Sequence, residues 1–262
     1  MREERRLKTG IPGFDELIEK GIPEGSTILV AGGPGTGKTI FCLQALYNAT
    51  AGGANSLYIT LEEPPSRLCK HMEKFGWSVH SVKKEEEQVS LKVKGGGLMS
   101  IRKLDPIRAA RSVEAALAKK TGGLVIELDV GRELIPPDLH PSFVVVDSIS
   151  AIESAFVGRP ESYRIYIEQL FYLLRERATV SFLITETEEA PSRFSRSGVE
   201  EFLADGVVVL YNMKVGGTRV RALEILKLRG AKHLTKLVPM EITGKGLVVY
   251  PGEKVYGVEE GK

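Results

Sequence analysis

Residues 32–39 read Gly-Gly-Pro-Gly-Thr-Gly-Lys-Thr, a full match to the phosphate-binding pattern G-x-x-x-x-G-K-[ST]. The chemistry of such a loop is anion capture. Its glycines let the backbone curl so that successive N–H groups converge on one phosphate. A helix starting at the loop's end adds its positive dipole terminus. Lys38 supplies a cation for the β- and γ-phosphates of a nucleoside triphosphate, and Thr39 a hydroxyl ligand for Mg²⁺. Gly33, Pro34, Gly35, Thr36, Gly37, Lys38, Thr39 and Ile40 are therefore the expected nucleotide contacts.

Three other groups of residues could complete the chemistry. Asp147 ends the apolar run Phe143-Val-Val-Val146, where a carboxylate faces the edge of the sheet at which ligands bind in open α/β folds. It could hold Mg²⁺ through water or polarise Thr39. Glu62 and Glu63 close another strand-like run, and hydrolysis of a γ-phosphate needs a carboxylate that orients a water and accepts its proton. Glu62 is the expected base and Glu63 its assistant, against the plainer reading of Glu-Glu-Pro-Pro as a surface turn. Lys227 and Arg229 stand two apart on a strand-like segment, so both project from one face and could address one phosphate together. Periodicity alone favours a solvated strand face for them.

The elements that must carry these residues alternate between strand and helix, the signature of a parallel sheet covered on both faces. Ser26 to Ala31 reads as a buried strand, Ile40 to Thr50 as an amphipathic helix, Ser56 to Leu61 as a strand and Ser66 to Phe75 as a helix. In residues 80–105, Lys83-Lys-Glu-Glu-Glu87 reads as a solvated face and Gly95-Gly-Gly97 as a flexible turn. A helix from Asp105 to Lys120 follows, with Asp105 as cap and Pro106 at its first position. Residues 122–141 interrupt the step to the next strand. After Phe143–Asp147, a helix from Tyr163 to Arg177 and a strand from Val180 to Thr185 complete the parallel core. From Gly206 onward the texture is antiparallel, with hairpins turning at Gly216-Gly217 and Gly244-Lys245-Gly246.

At 262 residues, with 27% charged residues and a net charge of +2, the chain is sized for a single large α/β domain, and its charge neither demands nor excludes nucleic acid. It has no run of about eighteen apolar residues for a membrane span, and Met1 to Arg6 lacks the apolar stretch of a signal peptide. Cys42 and Cys69 are too few for a disulfide framework and read as buried free thiols, so a cytoplasmic location is expected. Scarce Asn and Gln beside abundant Glu, Lys and Arg are compatible with a thermophilic source.

Together these motifs resemble the RecA superfamily, and within it the KaiC-like ATPases, over about residues 7 to 250. The opening segment Leu7-Lys-Thr-Gly-Ile-Pro-Gly-Phe-Asp-Glu-Leu-Ile-Glu-Lys-Gly-Ile-Pro-Glu-Gly-Ser26 resembles that family's opening signature. Thr60-Leu-Glu-Glu63 is similar to its catalytic glutamate pair, and Val144-Val-Val-Asp-Ser148 to its Walker B strand. Leu226-Lys-Leu-Arg-Gly-Ala-Lys-His233 is similar to its trans-acting K-x-R-G segment. The resemblance implies a RecA-like P-loop fold with a twisted, mainly parallel sheet, helices on both faces and C-terminal antiparallel hairpins. It implies ATP and Mg²⁺ as cofactors and a homo-oligomeric, hexameric ring. It also reverses the plain reading of Lys227 and Arg229, which would face a neighbour's γ-phosphate, with Leu228 and His233 beside that nucleotide.

Three departures shape the expectation. The clock KaiC proteins carry tandem ATPase domains, and this chain has one. Their phosphorylated Ser-Thr pair is replaced here by Glu201-Phe202, so autokinase activity of that kind is not expected. The 122–141 insertion is longer than the family's usual step. The expected function is ATP hydrolysis by an oligomeric switch or motor acting on a protein partner, without a clock role. The rival is a recombination-type ATPase binding single- or double-stranded DNA. Its channel loops would be about 153–164 and 187–201, where Arg159, Arg164, Arg193 and Arg196 interleave with Phe156, Tyr163 and Phe194. Glu153, Glu161, Glu188 and Glu189 would oppose an anion there. The intact Glu62-Glu63 pair argues against a regulator that has lost hydrolysis.

Overall fold

Strict alternation along one strand organises the molecule. In a computed structural model, which describes residues 5–108, 110, 134–135, 139–188 and 193–257, β3 (Ser26–Gly32) is buried throughout. Side chains two apart share a face of a sheet, so Ile28 and Val30 enter one core and Leu29 and Ala31 another. Before β3, a small ladder pairs β1 (Arg6–Leu7) with β2 (Ile22–Pro23).

The remaining strands are β4 (Ser56–Thr60), β5 (Val79–Lys84), β6 (Gln88–Val93), β7 (Leu98–Lys103), β8 (Phe143–Asp147), β9 (Val180–Glu186), β10 (Gly206–Val215), β11 (Thr218–Leu228), β12 (Val238–Thr243) and β13 (Gly246–Val249). With β3 they form a sheet in the order β13-β12-β11-β10-β3-β9-β8-β4-β7-β6-β5. The stretch from β10 to β7 is parallel. Both ends are antiparallel.

Helices cover both faces, as the alternating pattern predicts. On one side α1 (Lys38–Ala51) and α2 (Pro65–Lys74) bury Phe41, Leu43, Leu46, Leu68 and Met72 against Ile28, Val30 and Val145. On the other, α3 (Ile149–Ala155) and α4 (Pro160–Arg177) bury Ile152, Tyr166, Ile167, Leu170 and Leu174 against Leu29, Val144 and Val146. A short α5 (Glu200–Leu203) precedes β10. Among the described residues no helix is long and apolar enough to cross a membrane.

The opening signature has a structural cause. The Asp15 carboxylate accepts the Thr9 N–H (2.8 Å), the Thr9 hydroxyl (2.9 Å) and the Gly10 N–H (2.8 Å), closing a tight loop that buries Ile11 and Phe14. Gly13 (φ +77°) presses so closely on β13 that a Cβ would lie 1.9 Å from the Val249 carbonyl oxygen. Only glycine fits there.

The antiparallel far end is what the sequence reading left unassigned. Lys83 to Glu87 is exposed, as expected, because it is the end of β5 and the turn of residues 85–87 that joins it to β6. The alternation Val89, Leu91, Val93 buries one face of β6. Gly95 is more than a flexible turn residue: a Cβ on it would lie 2.0 Å from the Ala51 carbonyl oxygen, so the hairpin packs on the end of α1. The expected helix from Asp105 begins as foreseen, with the Ile107 N–H bonded to the Asp105 carboxylate at 2.9 Å. Most of that helix, and residues 122–133 and 136–138 of the insertion, lie outside the described residues.

Candidate functional site

β3 delivers the phosphate loop and α1 leaves it. Gly35 (φ +73°) and Gly37 (φ +103°) occupy the left-handed region that lets the loop curl, and Gly37 is the residue from which α1 starts. The Thr36 hydroxyl donates to the Gly33 carbonyl at 2.9 Å, which fixes the curl from inside. The Lys38 ammonium folds over the loop and donates to the carbonyls of Gly32 (2.8 Å) and Gly33 (2.9 Å). Burial lowers its pKa, while the carboxylates of Glu186, Asp147 and Glu62 pull it back up. A cation held in a partly desolvated place among carboxylates is well placed to exchange carbonyl partners for phosphate oxygens.

Beneath the loop, Asp147 comes from the end of β8, two residues after Val145 and on the same face, toward α1. Its Oδ2 accepts the Thr39 hydroxyl at 3.0 Å and the Tyr58 hydroxyl at 2.5 Å. Burial raises the pKa of the Asp147 carboxyl, and these two hydrogen bonds oppose the rise. The Tyr58 phenol is pushed well up by burial and by the neighbouring carboxylate. Tyr58 escaped the sequence reading, although it lies two residues before Thr60 on β4 and β4 pairs in register with β8.

The glutamate pair is divided between two environments. The Leu61 N–H donates to the Asp147 carbonyl (2.8 Å), and the Thr60 hydroxyl ties both the N–H and the carbonyl of Glu63, at 3.1 and 2.8 Å. From this turn Glu62 reaches the Ser148 hydroxyl at 2.9 Å. Glu63 instead lines a cavity of about 270 Å³ together with Gly35, Gly37, Lys38, Thr39 and Ile40. Arg67 stands 3.7 Å from the Glu63 carboxylate. The cavity's other wall is His71, Lys74 and Phe75, from the end of α2. These three carry no motif, and only packing of α2 beside the loop brings them there. Arg221, on β11, is a further neighbour unsuspected from the sequence, donating to the Gly35 carbonyl at 3.2 Å.

Lys227 and Arg229 lie elsewhere. Lys227 pairs with Val207, which pairs with Leu29, so it stands two strands across from β3 and toward the sheet edge opposite the phosphate loop. Its ammonium donates to the Ala204 carbonyl at 2.7 Å, and its pKa is lowered by burial and then by Arg229. β11 ends at Leu228, so Arg229 sits in the following turn and not on the strand itself. Both cations nonetheless reach the same segment. Arg229 donates to the Phe202 carbonyl (3.1 Å) and lies 3.6 Å from Asp205. Leu228 is 7% exposed and its side chain packs in the core, which leaves only its backbone to meet a nucleotide. His233 pairs with Ile18, and its Nε2 is buried with no hydrogen-bond partner among the described residues.

The loops expected to line a channel need correction in one respect. Phe156 and Tyr163 are 2% and 3% exposed and belong to the core, so they present no ring on which a base could stack. The hydrophobic pattern of α3 and α4 claims them first.

Three comparisons bear on this geometry. A family model described as "ATPase: KaiC" matches residues 7–254. A UPF0273 protein of Thermotoga maritima is 33% identical over 255 residues, covering 95% of this chain and 97% of that protein. The circadian clock protein KaiC3 of Synechocystis is 34% identical over 247 residues, covering 94% of this chain and 46% of that protein. Among solved structures, the KaiC-like protein PH0186 of Pyrococcus horikoshii superposes with a TM-score of 0.69 at 32% identity, over 95% of this chain and all of that one.

Proposed function

The chain belongs to the KaiC ATPase family, and from that premise we propose that it binds and hydrolyses Mg·ATP at sites shared between neighbouring copies of itself, as an oligomeric switch or motor. The observation that carries the reading is the cluster below the phosphate loop. Thr39 and Tyr58 both bond one oxygen of a half-buried Asp147, and Lys38 stands over the loop with no carboxylate bonded to it among the described residues. That donor set fits a magnesium nucleotide. Mg²⁺ keeps several waters and takes one or two protein oxygens beside phosphate, so a dedicated cage of protein ligands is not needed. Thr39 would hold the ion directly and Asp147 through water or through Thr39. The ion supplies neutralisation of charge on the β- and γ-oxygens.

The chain's own groups divide the remaining work. Backbone N–H groups of residues 33–39 and the start of α1 receive the phosphates, and Lys38 follows the charge. Glu62 orients a water and takes its proton, held in place by the Ser148 hydroxyl, while Glu63 lines the cavity and positions what enters it. Phe75, with His71 and Lys74, offers a wall for the base. Half-buried Lys227 and exposed Arg229, on the opposite edge, act on a neighbour's γ-phosphate. A closed ring, expected to be hexameric, gives every nucleotide such a neighbour.

The test is calorimetric titration of Lys38→Ala with Mg·ATP, with circular dichroism to show that the fold is kept. Affinity should fall by at least about a hundredfold, because a desolvated cation on phosphate is lost. Unchanged affinity would overturn the reading.

A further inference from the structure

Beyond the phosphate loop the described residues hold a second, larger cavity of about 580 Å³, between the end of α3, the start of α4 and residues 196–199. Its walls are mostly apolar, from Phe156, Val157, Pro160 and Val199, and Val157 is 79% exposed at the rim. Its floor is polar and closed: the Tyr163 hydroxyl and the Ser197 hydroxyl both donate to the Glu200 carboxylate, which is 1% exposed.

The charges around this cavity are unequal. Arg164 and Arg196 both line it, yet each is already engaged, Arg164 with Glu168 at 3.0 Å and Arg196 with Glu186 at 3.3 Å. Glu153 and Glu161 line it as well, and neither makes an ion pair within 4.0 Å among the described residues. Burial and the Glu200 carboxylate push the Glu153 carboxyl up, with Arg196 opposing, so Glu153 sits where a further positive charge would be welcome. Arg159 and Arg193 do not line the cavity. A phosphate backbone entering here would meet unpaired carboxylates, and bases would find no exposed ring. A cation on an apolar stem meets both features of the site.

We propose that this cavity receives a basic, apolar peptide segment of a protein partner. Aliphatic side chains lie on Val157, Pro160 and Val199, and an arginine or lysine reaches Glu153 and Glu161. The cavity is also wired toward the nucleotide. Arg196 pairs with Glu186, which stands in register with Gly32 at the mouth of the phosphate loop. The proposal gives the partner chemistry for the switch described above, yet its test needs no ATP turnover, so either reading can fail alone.

The experiment measures fluorescence anisotropy of three labelled probes on the full chain: an octapeptide alternating leucine and arginine, one alternating leucine and glutamate, and a single-stranded oligothymidine. The leucine–arginine peptide should bind, more weakly as salt rises, and the leucine–glutamate peptide should not. The double variant Glu153→Gln, Glu161→Gln should weaken the basic peptide by about tenfold, since charge pairing across an interface is removed while shape is kept. Ser154→Trp, which fills the cavity from its wall, should weaken it independently. ATP turnover of both variants should match the unmodified chain. Basic-peptide binding indifferent to both variants would overturn the proposal. So would tight oligothymidine binding lost in Arg164→Ala, Arg196→Ala, which would give the surface to nucleic acid. Self-association abolished by Val157→Ser would give it to a second copy and equally overturn the proposal.

Discussion

At the carboxyl ends of β3, β4 and β8 the polar side chains bond one another. Thr39 and Tyr58 hold Asp147, Ser148 holds Glu62, Thr60 pins Glu63, and Lys38 covers the loop they surround. At the opposite edge Lys227 and Arg229 make hydrogen bonds too, among the described residues to carbonyls at the end of α5, and beside Asp205, which also pairs with Arg175 at 3.1 Å. One edge is a site whose groups are aimed at one another, apart from a Glu63 oxygen that is buried with no hydrogen-bond partner among the described residues. The other presents cations whose anionic neighbour is Asp205, with Arg229 58% exposed at its side chain. On the function proposed above, the difference means that half an active site would be complete in its own contacts and would still need a neighbour's charge to act on the transferring phosphate.

The sharpest way to break this comparison is to separate the halves. Arg229→Ala should bind ATP nearly normally and lose turnover on the order of 10³-fold, the range seen when an arginine finger is removed. Its contact with Asp205 is a surface pair of small energetic weight, so folding should survive. Mixing Arg229→Ala with Glu62→Gln should restore part of the activity. A mixed interface pairs the intact Glu62 of one copy with the intact Arg229 of the next. Activity per subunit in the unmodified chain should also rise with concentration until rings close. A concentration-independent ATPase whose two variants do not complement would place finger and base in one subunit and dissolve the contrast between the edges.

The next largest effect asks which carboxylate does the work inside the nucleotide edge. Glu62→Gln should hold ATP and hydrolyse it on the order of 10²-fold more slowly, because the base is lost and the shape kept. Glu63→Gln should act mainly on affinity, since Glu63 lines the cavity and Glu62 faces Ser148. Single-turnover kinetics separate binding from chemistry. The reverse pattern would transfer the base to Glu63.

These two edges also differ in how readable they were. The phosphate loop, Asp147 and the glutamate pair declare themselves because each follows a short apolar strand, so a local pattern fixes both the residue and its place at the sheet edge. The hairpin at Gly216-Gly217 was equally plain. Other parts depend on contacts distant in sequence. His71, Lys74 and Phe75 meet the loop only because α2 packs beside α1, and Arg221 meets Gly35 across 186 residues of chain. The β5–β7 extension was obscured by the charged run at 83–87 and the glycines at 95–97, although Val89, Leu91 and Val93 alternate as a half-buried strand should. Phe156 and Tyr163 misled for the opposite reason: aromatics amid arginines look like a binding surface, but the helical spacing that buries them outranks their neighbours in sequence.

The smallest expected effect concerns protons at the nucleotide edge. Burial raises the Asp147 carboxyl, so in the fold it takes up a proton at a higher pH than an ordinary aspartate. The folded chain then binds that proton more tightly than the unfolded one. By linkage, the contribution of Asp147 to stability falls as pH rises from the unfolded value through the raised one. A bound magnesium ion must displace the same proton, so Mg·ATP affinity should weaken on acidification at a higher pH than an ordinary aspartate would impose. Asp147→Asn should lower affinity at neutral pH and flatten this dependence, because no proton is left to compete. It should also leave the nucleotide-free chain at least as resistant to heat at neutral pH, with the gap closing toward acid, since the variant buries an amide in place of a charge. Thr39 and Tyr58 keep an oxygen acceptor in that variant, so their hydrogen bonds do not confound the comparison. An affinity profile in which the variant and the unmodified chain titrate alike would remove Asp147 from the metal's reach and leave Thr39 alone beneath the phosphates.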